Sequence, residues 1–217
     1  MLLPPMSHRD GTSADGVSRA SIARGLDAVF GARQLEQAGG RRAAVALVIG
    51  ERGGTLGFLL TLRAPRLAAH AGQYALPGGR VDDGEEVVDA ALREVHEELG
   101  LALAPADVLG RLPDYRSGSG YRIAPIVAWS QDIGVLRPNP GEVADVFHIP
   151  LSLLRGPGVP RLLPSPSSDR PIIQMPLGGD RLIHAPTGAI LHQFAEAALG
   201  GRYVDAQAFD EPEWARR

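Results

Sequence analysis

The stretch that most constrains this chain runs from Gly79 to Leu101, GRVDDGEEVVDAALREVHEELGL. It reads as a Gly-rich turn, a helix and a stop. Asp83 is the expected N-cap, with Glu86 at the capping-box position. Gly100 falls where a helix wants a left-handed residue after its last turn. At about 100° per residue, Val88, Ala91, Leu92, Val95 and Leu99 gather on one arc, and Arg93, Glu94, Glu97 and Glu98 on another. One face is built for a core; the other is a patch of carboxylates. Like charges spaced as Glu94 and Glu98 are repel one another on a helix. A divalent cation relieves that repulsion: Mg²⁺ takes oxygen ligands and sits between one or two carboxylates and substrate phosphates. Arg93 is spaced to brace Glu97. A solvated acidic face is the plainer reading of the same pattern.

The spacing narrows the choice. Gly79, five residues, Glu85, seven residues, Arg93-Glu94, aliphatic Val95, one residue, Glu97-Glu98, one residue, Gly100 and aliphatic Leu101 together resemble a complete Nudix box. Seven fixed positions at roughly 7% each would recur by chance on the order of 10⁻⁸ per window, so the resemblance is specific. It implies an α/β fold, the Nudix α/β/α sandwich with a mixed β-sheet, spanning about residues 43–195. It also implies a hydrolase acting on a nucleoside diphosphate linked to another moiety, with Mg²⁺ or Mn²⁺ held by Glu94, Glu97 and Glu98. In that scheme Arg93 orients the glutamates and Glu85 is structural, with a hydrogen bond to the Gly-rich turn. Glu97 is the favoured base, and Glu142, outside the box, is the other carboxylate placed to act as base or complete the metal site.

A second signal lies upstream. Residues 59–79, LLTLRAPRLAAHAGQYALPGG, offer Arg63 and Arg66 as guanidinium donors for phosphate and His70 as a phosphate or adenine contact. Gly78 and Gly79 permit close backbone approach, with the Gly79 carbonyl as a further metal ligand. A snorkelling arginine and a structural loop histidine are the plainer alternatives. Leu59, Leu60, Thr61, Arg63, Ala64, Gly72, Pro77, Gly78 and Gly79 resemble the extra motif of the coenzyme A pyrophosphatase subgroup, and PNPGEVADVFHIPL from Pro138 resembles that subgroup again. Ala68 and Leu76 depart from its pattern, where an Arg and a Phe are usual. The resemblance implies cleavage of coenzyme A or acyl-coenzyme A to 3′,5′-ADP and (acyl-)4′-phosphopantetheine. The alternatives are another nucleoside diphosphate derivative such as ADP-ribose or NADH, and a non-catalytic nucleotide-binding module.

The rest of the chain sets bounds. Its 217 residues suit one domain with decoration, divided as a tail and helix over 1–40 and a hydrolase domain over 41–217. A net charge of −3 gives no basic field for nucleic acid. The partner expected is a small nucleotide substrate. With no cysteine there is no disulfide frame or thiolate metal site, in keeping with a cytoplasmic setting. No apolar run is long enough to span a membrane. Residues 17–38 are expected to form a helix docked on the domain through Ile22, Leu26, Val29 and Phe30, with a homodimer contact as the alternative. Ala43–Ile49 and Leu56–Arg63 read as a hairpin, Val108–Tyr115 and Tyr121–Trp129 as two strands around a Ser/Gly loop, and 142–150 as another strand. Residues 155–170 read as loop, and 172–176 and 181–184 as a hairpin. Pro186–Leu199 reads as a helix capped by Thr187, on the sheet face opposite the box helix. Tyr121 is read as core more readily than as a base-stacking ring, and Phe209 and Trp214 as a tail folded back on the domain.

Overall fold

In the computed structural model the residues described are 16–35, 40–65, 72–179 and 181–212. Helix α1 (Arg19–Phe30) opens the fold. Ser18 caps it by accepting from the Ser21 backbone N–H, and the Ser21 hydroxyl completes the capping box. Strands β1 (Arg41–Arg52) and β2 (Thr55–Arg63) form the expected hairpin, turning at Gly53 and Gly54 with φ of +60° and +76°. Short strands β3 (Tyr74–Ala75) and β4 (Gly78–Arg80) lead to α2 (Val87–Leu99). There follow β5 (Val108–Arg111), β6 (Tyr115–Arg116), β7 (Tyr121–Ser130), β8 (Val143–Pro150), β9 (Arg161–Leu163), β10 (Ile172–Pro176), β11 (Leu182–His184) and α3 (Thr187–Phe194).

The main sheet runs β3-β2-β1-β7-β5, with β8 also on β2, β4 on β1 and β6 on β7. It is mixed: β1 lies parallel to β7 from Arg41↔Tyr121 to Gly50↔Ser130, and the other pairs are antiparallel. Because side chains alternate along a strand, the apolar run of β1 serves two cores. Ala44, Ala46 and Val48 pack with Val87, Ala90, Ala91, Val95 and Leu99 of α2. Leu47 and Ile49 pack on the other face with α1 and α3. The small Ala44 and Ala46 let α2 lie close over the strand. The result is the expected α/β/α sandwich. A smaller sheet, β11-β10-β9, stands beside it.

Several boundaries differ from those expected. Helix α2 starts at Val87 with Glu86 as N-cap and no side-chain capping bond, so Asp83 is not the cap. Gly84 sits at φ +79°, outside helical space, and Glu85 closes the turn through the Asp82 N–H instead. At the far end Gly100 takes the left-handed conformation as expected. The strand expected over 108–115 is broken at Leu112–Asp114, where buried Asp114 pairs with Arg111 and Arg122. Residues 161–163, expected to be loop, form an edge strand on β10. Pro186, after a cis peptide bond, is the N-cap of α3, and Thr187 is its first helical residue. Helix α1 is shorter than expected but docks with Ile22, Leu26 and Phe30 buried in the common core. Phe209 is buried as expected of the returning tail, while Trp214 lies outside the described residues. No helix among the described residues is long and apolar enough to cross a membrane.

Candidate active site

Helix α2 presents its polar side where β4 and the end of β2 meet. Arg93 organises that side. Its Nε and Nη2 hold the two oxygens of Glu85 at 2.9 and 3.1 Å. Its Nη1 donates to Glu94 Oε1 at 2.9 Å and Glu97 Oε2 at 3.1 Å, and Nη2 also donates to the Arg80 carbonyl at 3.0 Å. The bracing of Glu97 is as expected, but it is one arm of a wider clamp. Donation from Arg93 holds the Glu85 carboxyl below its usual range, and its bonds to Glu85 first and Glu94 second raise the Arg93 guanidinium further, against its burial. Glu85 also accepts from the Asp82 N–H at 2.9 Å, so it ties the Gly-rich turn to the helix.

The four polar residues are not equivalent. Glu97 faces solvent, with half of its side chain exposed. Glu98, expected beside it on an outer face, is only 4% exposed. The segment after β7 docks on the helix end, where Arg137 N–H donates to the Leu99 carbonyl and Asn139 N–H to that of Glu98, while the Glu98 carboxyl itself neighbours the Gly78 backbone, Arg63 and Glu142. Burial pushes the Glu98 carboxyl up to about 8; Arg63 opposes the shift, and the charges of Glu94 and Glu142 add to it. Its Oε2 is buried with no hydrogen-bond partner among the described residues. Burial also raises Glu94, against the pull of Arg93. Such carboxylates are costly to hold charged without a cation.

Two glycines lie in close approach to their neighbours. A Cβ on Gly79 would lie 2.2 Å from Glu94 Oε1, and one on Gly78 would lie 2.3 Å from the Ala44 carbonyl oxygen. At Gly78 the obstacle is backbone and cannot yield, whereas at Gly79 a side chain would displace the Glu94 carboxylate from its place. Glu142 sits in the turn before β8; its carbonyl accepts from Ala64 N–H at 2.8 Å and its side chain from Asn139 at 3.3 Å. That places it beside the end of β2, where it acts electrostatically on both Glu94 and Glu98. Arg63 ends β2 with a buried Nε that has no partner among the described residues. Arg66 and His70, with Ala68 between them, lie outside the described residues.

Among the described residues, no three acidic or imidazole side chains already stand in metal-holding geometry. Glu94 and Glu97 share the Arg93 guanidinium instead. The donors are nonetheless those a hard divalent ion uses: carboxylate oxygens, one of them buried and unpartnered, beside a glycine backbone. The remaining coordination positions of such an ion fall to water and phosphate. The residues therefore fit Mg²⁺ or Mn²⁺.

A cleft of about 650 Å³ adjoins the box. The box glutamates are not in its wall. The β4 backbone stands between: Gly79 meets Glu94 on one side and lines the cleft on the other. Arg63 and Gly78 mark the end nearest the carboxylates, and the far wall brings in Ser117, Tyr121, His184 and Glu211. Tyr121, expected in the core, is half-buried in this wall with the Arg41 guanidinium 4.2 Å from its ring centroid. Arg41, Arg80 and Glu211 were not singled out from the sequence. They meet only through strand pairing and the return of the C-terminal tail, and no local motif marks them.

The NUDIX domain profile matches residues 40–171 of this chain. The uncharacterized Nudix hydrolase NudL of Citrobacter koseri is 40% identical over 119 residues, covering 52% of this chain and 59% of that protein. NudL of Escherichia coli O1:K1 / APEC is 42% identical over 113 residues, covering 52% and 58%. The chain thus spans under two thirds of the length of the curated relatives it matches. Among solved structures, a MutT/nudix family protein from Enterococcus faecalis aligns over 96% of this chain and 90% of its own, with a TM-score of 0.52 at 16% identity. That likeness is one of fold alone.

Proposed function

This chain belongs to the Nudix family, and from that premise we propose that it is a metal-dependent pyrophosphohydrolase acting on coenzyme A or an acyl derivative. The observation that supports hydrolysis most directly is Glu98: a buried carboxylate with an unpartnered oxygen, facing Glu94, Glu142 and Arg63. Non-catalytic binding needs no such costly group.

In this reading Glu94, Glu97 and Glu98, with the Gly79 carbonyl, hold Mg²⁺ or Mn²⁺. A bound divalent ion neutralises phosphate oxygens and lowers the pKa of water. The residues of the chain do the rest. Arg93 fixes the rotamers of Glu94 and Glu97, so their oxygens are aimed before substrate arrives. Arg63 takes a non-bridging phosphate oxygen, where its donors are aimed at charge that grows in the transition state. Glu97, the more exposed carboxylate, accepts the proton of the attacking water; Glu142 is the other candidate base. The water oxygen bonds to one phosphorus, the bridging oxygen leaves with the other phosphate, and the products are 3′,5′-ADP and (acyl-)4′-phosphopantetheine.

Two sequence stretches support coenzyme A over other diphosphates: 59–79 and 138–151, each resembling the coenzyme A subgroup. They also meet in space, since Ala64 N–H donates to the Glu142 carbonyl. The second reading, an ADP-ribose or NADH hydrolase, rests on Ala68, which removes a cation the subgroup pattern has. Incubation of the full chain with coenzyme A, ADP-ribose, NADH or a nucleoside triphosphate, each with Mg²⁺ or Mn²⁺, and identification of products by mass separates the two. Release of 3′,5′-ADP from coenzyme A is expected. Cleavage of another compound with coenzyme A left intact overturns the substrate assignment, and no cleavage of any overturns the enzyme reading.

A further inference from the structure

The cleft beside the box has a second cationic point, away from the diphosphate end. Arg41 lies at the start of β1, where strand register pairs it with Tyr121 of β7. Its guanidinium covers the Tyr121 ring at 4.2 Å, and its Nη2 donates to the Ser119 carbonyl at 2.8 Å. Arg80, at the end of β4, reaches the same ring at 5.9 Å. Ala43↔Arg80 pairing brings that strand end beside β1. Both arginines and Tyr121 line the cleft. Neither arginine forms an ion pair with a described residue. Two guanidiniums sharing one aromatic ring repel each other. The ring quadrupole offsets part of that cost; an anion between them would offset the rest.

Among the described residues the cleft wall contains one carboxylate, Glu211, and it is already engaged. It accepts from Gly118 N–H at 3.0 Å and from the Tyr115 hydroxyl, which burial and that neighbour push upward in pKa. Asp82 and Asp83 line the adjoining groove across the Arg41–Tyr121–Arg80 ridge, not the cleft. The cleft therefore offers positive charge at two separated points: Arg63 by the box, and the Arg41/Arg80 pair by Tyr121. A ligand whose only anionic group is its diphosphate satisfies the first and leaves the second unmatched.

We propose that Arg41 and Arg80, positioned on Tyr121, form a subsite for a phosphate monoester that the substrate carries apart from its diphosphate. This rests on the reading of the box as a diphosphate-cleaving site and deepens it. The pair would select nucleotides bearing an additional ribose phosphate over those without one. Arg41 is held by its stacking and its bond to Ser119, so little rotamer freedom remains to be lost on binding.

Calorimetric titration of the full chain in Mg²⁺ with adenosine 3′,5′-bisphosphate and with 5′-AMP tests this without turnover. Wild type should bind the bisphosphate about tenfold or more tightly than AMP, the scale of a charge-assisted contact. Arg41→Gln/Arg80→Gln should remove most of that preference, with AMP affinity changing far less. Arg41→Lys should restore part of it, since the charge remains but the planar stack is lost. A wild type that does not discriminate, or a double variant that melts like wild type and keeps the preference, overturns the subsite. Turnover of coenzyme A against dephospho-coenzyme A separates the two levels. Preference for the bisphosphate with no hydrolysis of either compound supports the subsite and sinks the hydrolase reading. Equal hydrolysis of both with no binding preference sinks the subsite alone.

Discussion

The Glu98 carboxylate is buried beside the Gly78 backbone, Arg63 and Glu142, with one oxygen lacking a partner among the described residues. A group in this position gains from a cation what a surface glutamate would not, because water no longer screens it. Glu98→Gln keeps shape and removes charge. The rate of diphosphate cleavage should fall by on the order of 10³-fold or more, and the rise in melting temperature on adding Mn²⁺ should shrink; a variant with near-wild-type turnover would refute a metal role for Glu98. Arg93 is the complementary case. Its fork serves Glu85, Glu94 and Glu97 at once, and an ammonium cannot reproduce that planar geometry. Arg93→Lys should cost about 1–3 kcal/mol in urea unfolding and lower kcat, since Glu94 and Glu97 lose their common orienter. These roles were partly legible in the sequence, because the spacing of Arg93 and Glu97 belongs to one helix. The burial of Glu98 was not, because its neighbours Gly78, Arg63 and Glu142 come from outside that helix.

At the scale of elements, the packing of α1 on the segment after α3 is decided by one glycine. A Cβ on Gly25 would lie 2.6 Å from the Ala198 carbonyl oxygen. Helix propensity alone would favour alanine there by about 1 kcal/mol. The backbone contact should outweigh that gain, since overpacking typically costs about 1–3 kcal/mol. Gly25→Ala is thus expected to lower the urea midpoint, and an unchanged or raised midpoint would show that α1 does not depend on this approach. The stripe Ile22, Leu26 and Phe30 could be read from helical period, but not its target. Strand β1 shows the converse: the run Ala43–Ile49 announced a strand buried on both faces, and the small Ala44 and Ala46 sit under α2. The broken β5–β6 strand escaped notice because its cause is Asp114, whose partners Arg111 and Arg122 include one from another strand.

For the molecule as a whole, the C-terminal half closes the second core and the far wall of the cleft. His192 of α3 packs edge-on against Phe209 at 5.5 Å, and burial holds its imidazole below the ordinary 6.5 despite the charge of Glu196. A histidine depressed in this way stabilises the fold fully above 6.5 and loses that contribution as pH falls through its folded value. Glu98, raised by burial, works in the opposite sense over the same window, so the histidine is read by difference. The stability advantage of wild type over His192→Gln in denaturant unfolding should shrink from pH 7.5 toward about pH 5.5, and an advantage that does not change with pH would place the titration elsewhere, His184 being shifted in the same direction. By itself the sequence determined the box helix, its stop at Gly100, the hairpin before it and the carboxylate pattern, because each depends on neighbours a few residues apart. The tertiary structure alone decided which glutamate is buried, where Glu142 and Arg63 lie relative to it, and that Arg41, Arg80, Tyr121 and Glu211 share one cleft. Those relations depend on strand register, on a parallel pairing of β1 with β7 and on a tail returning from the far end of the chain, and no short-range pattern encodes them.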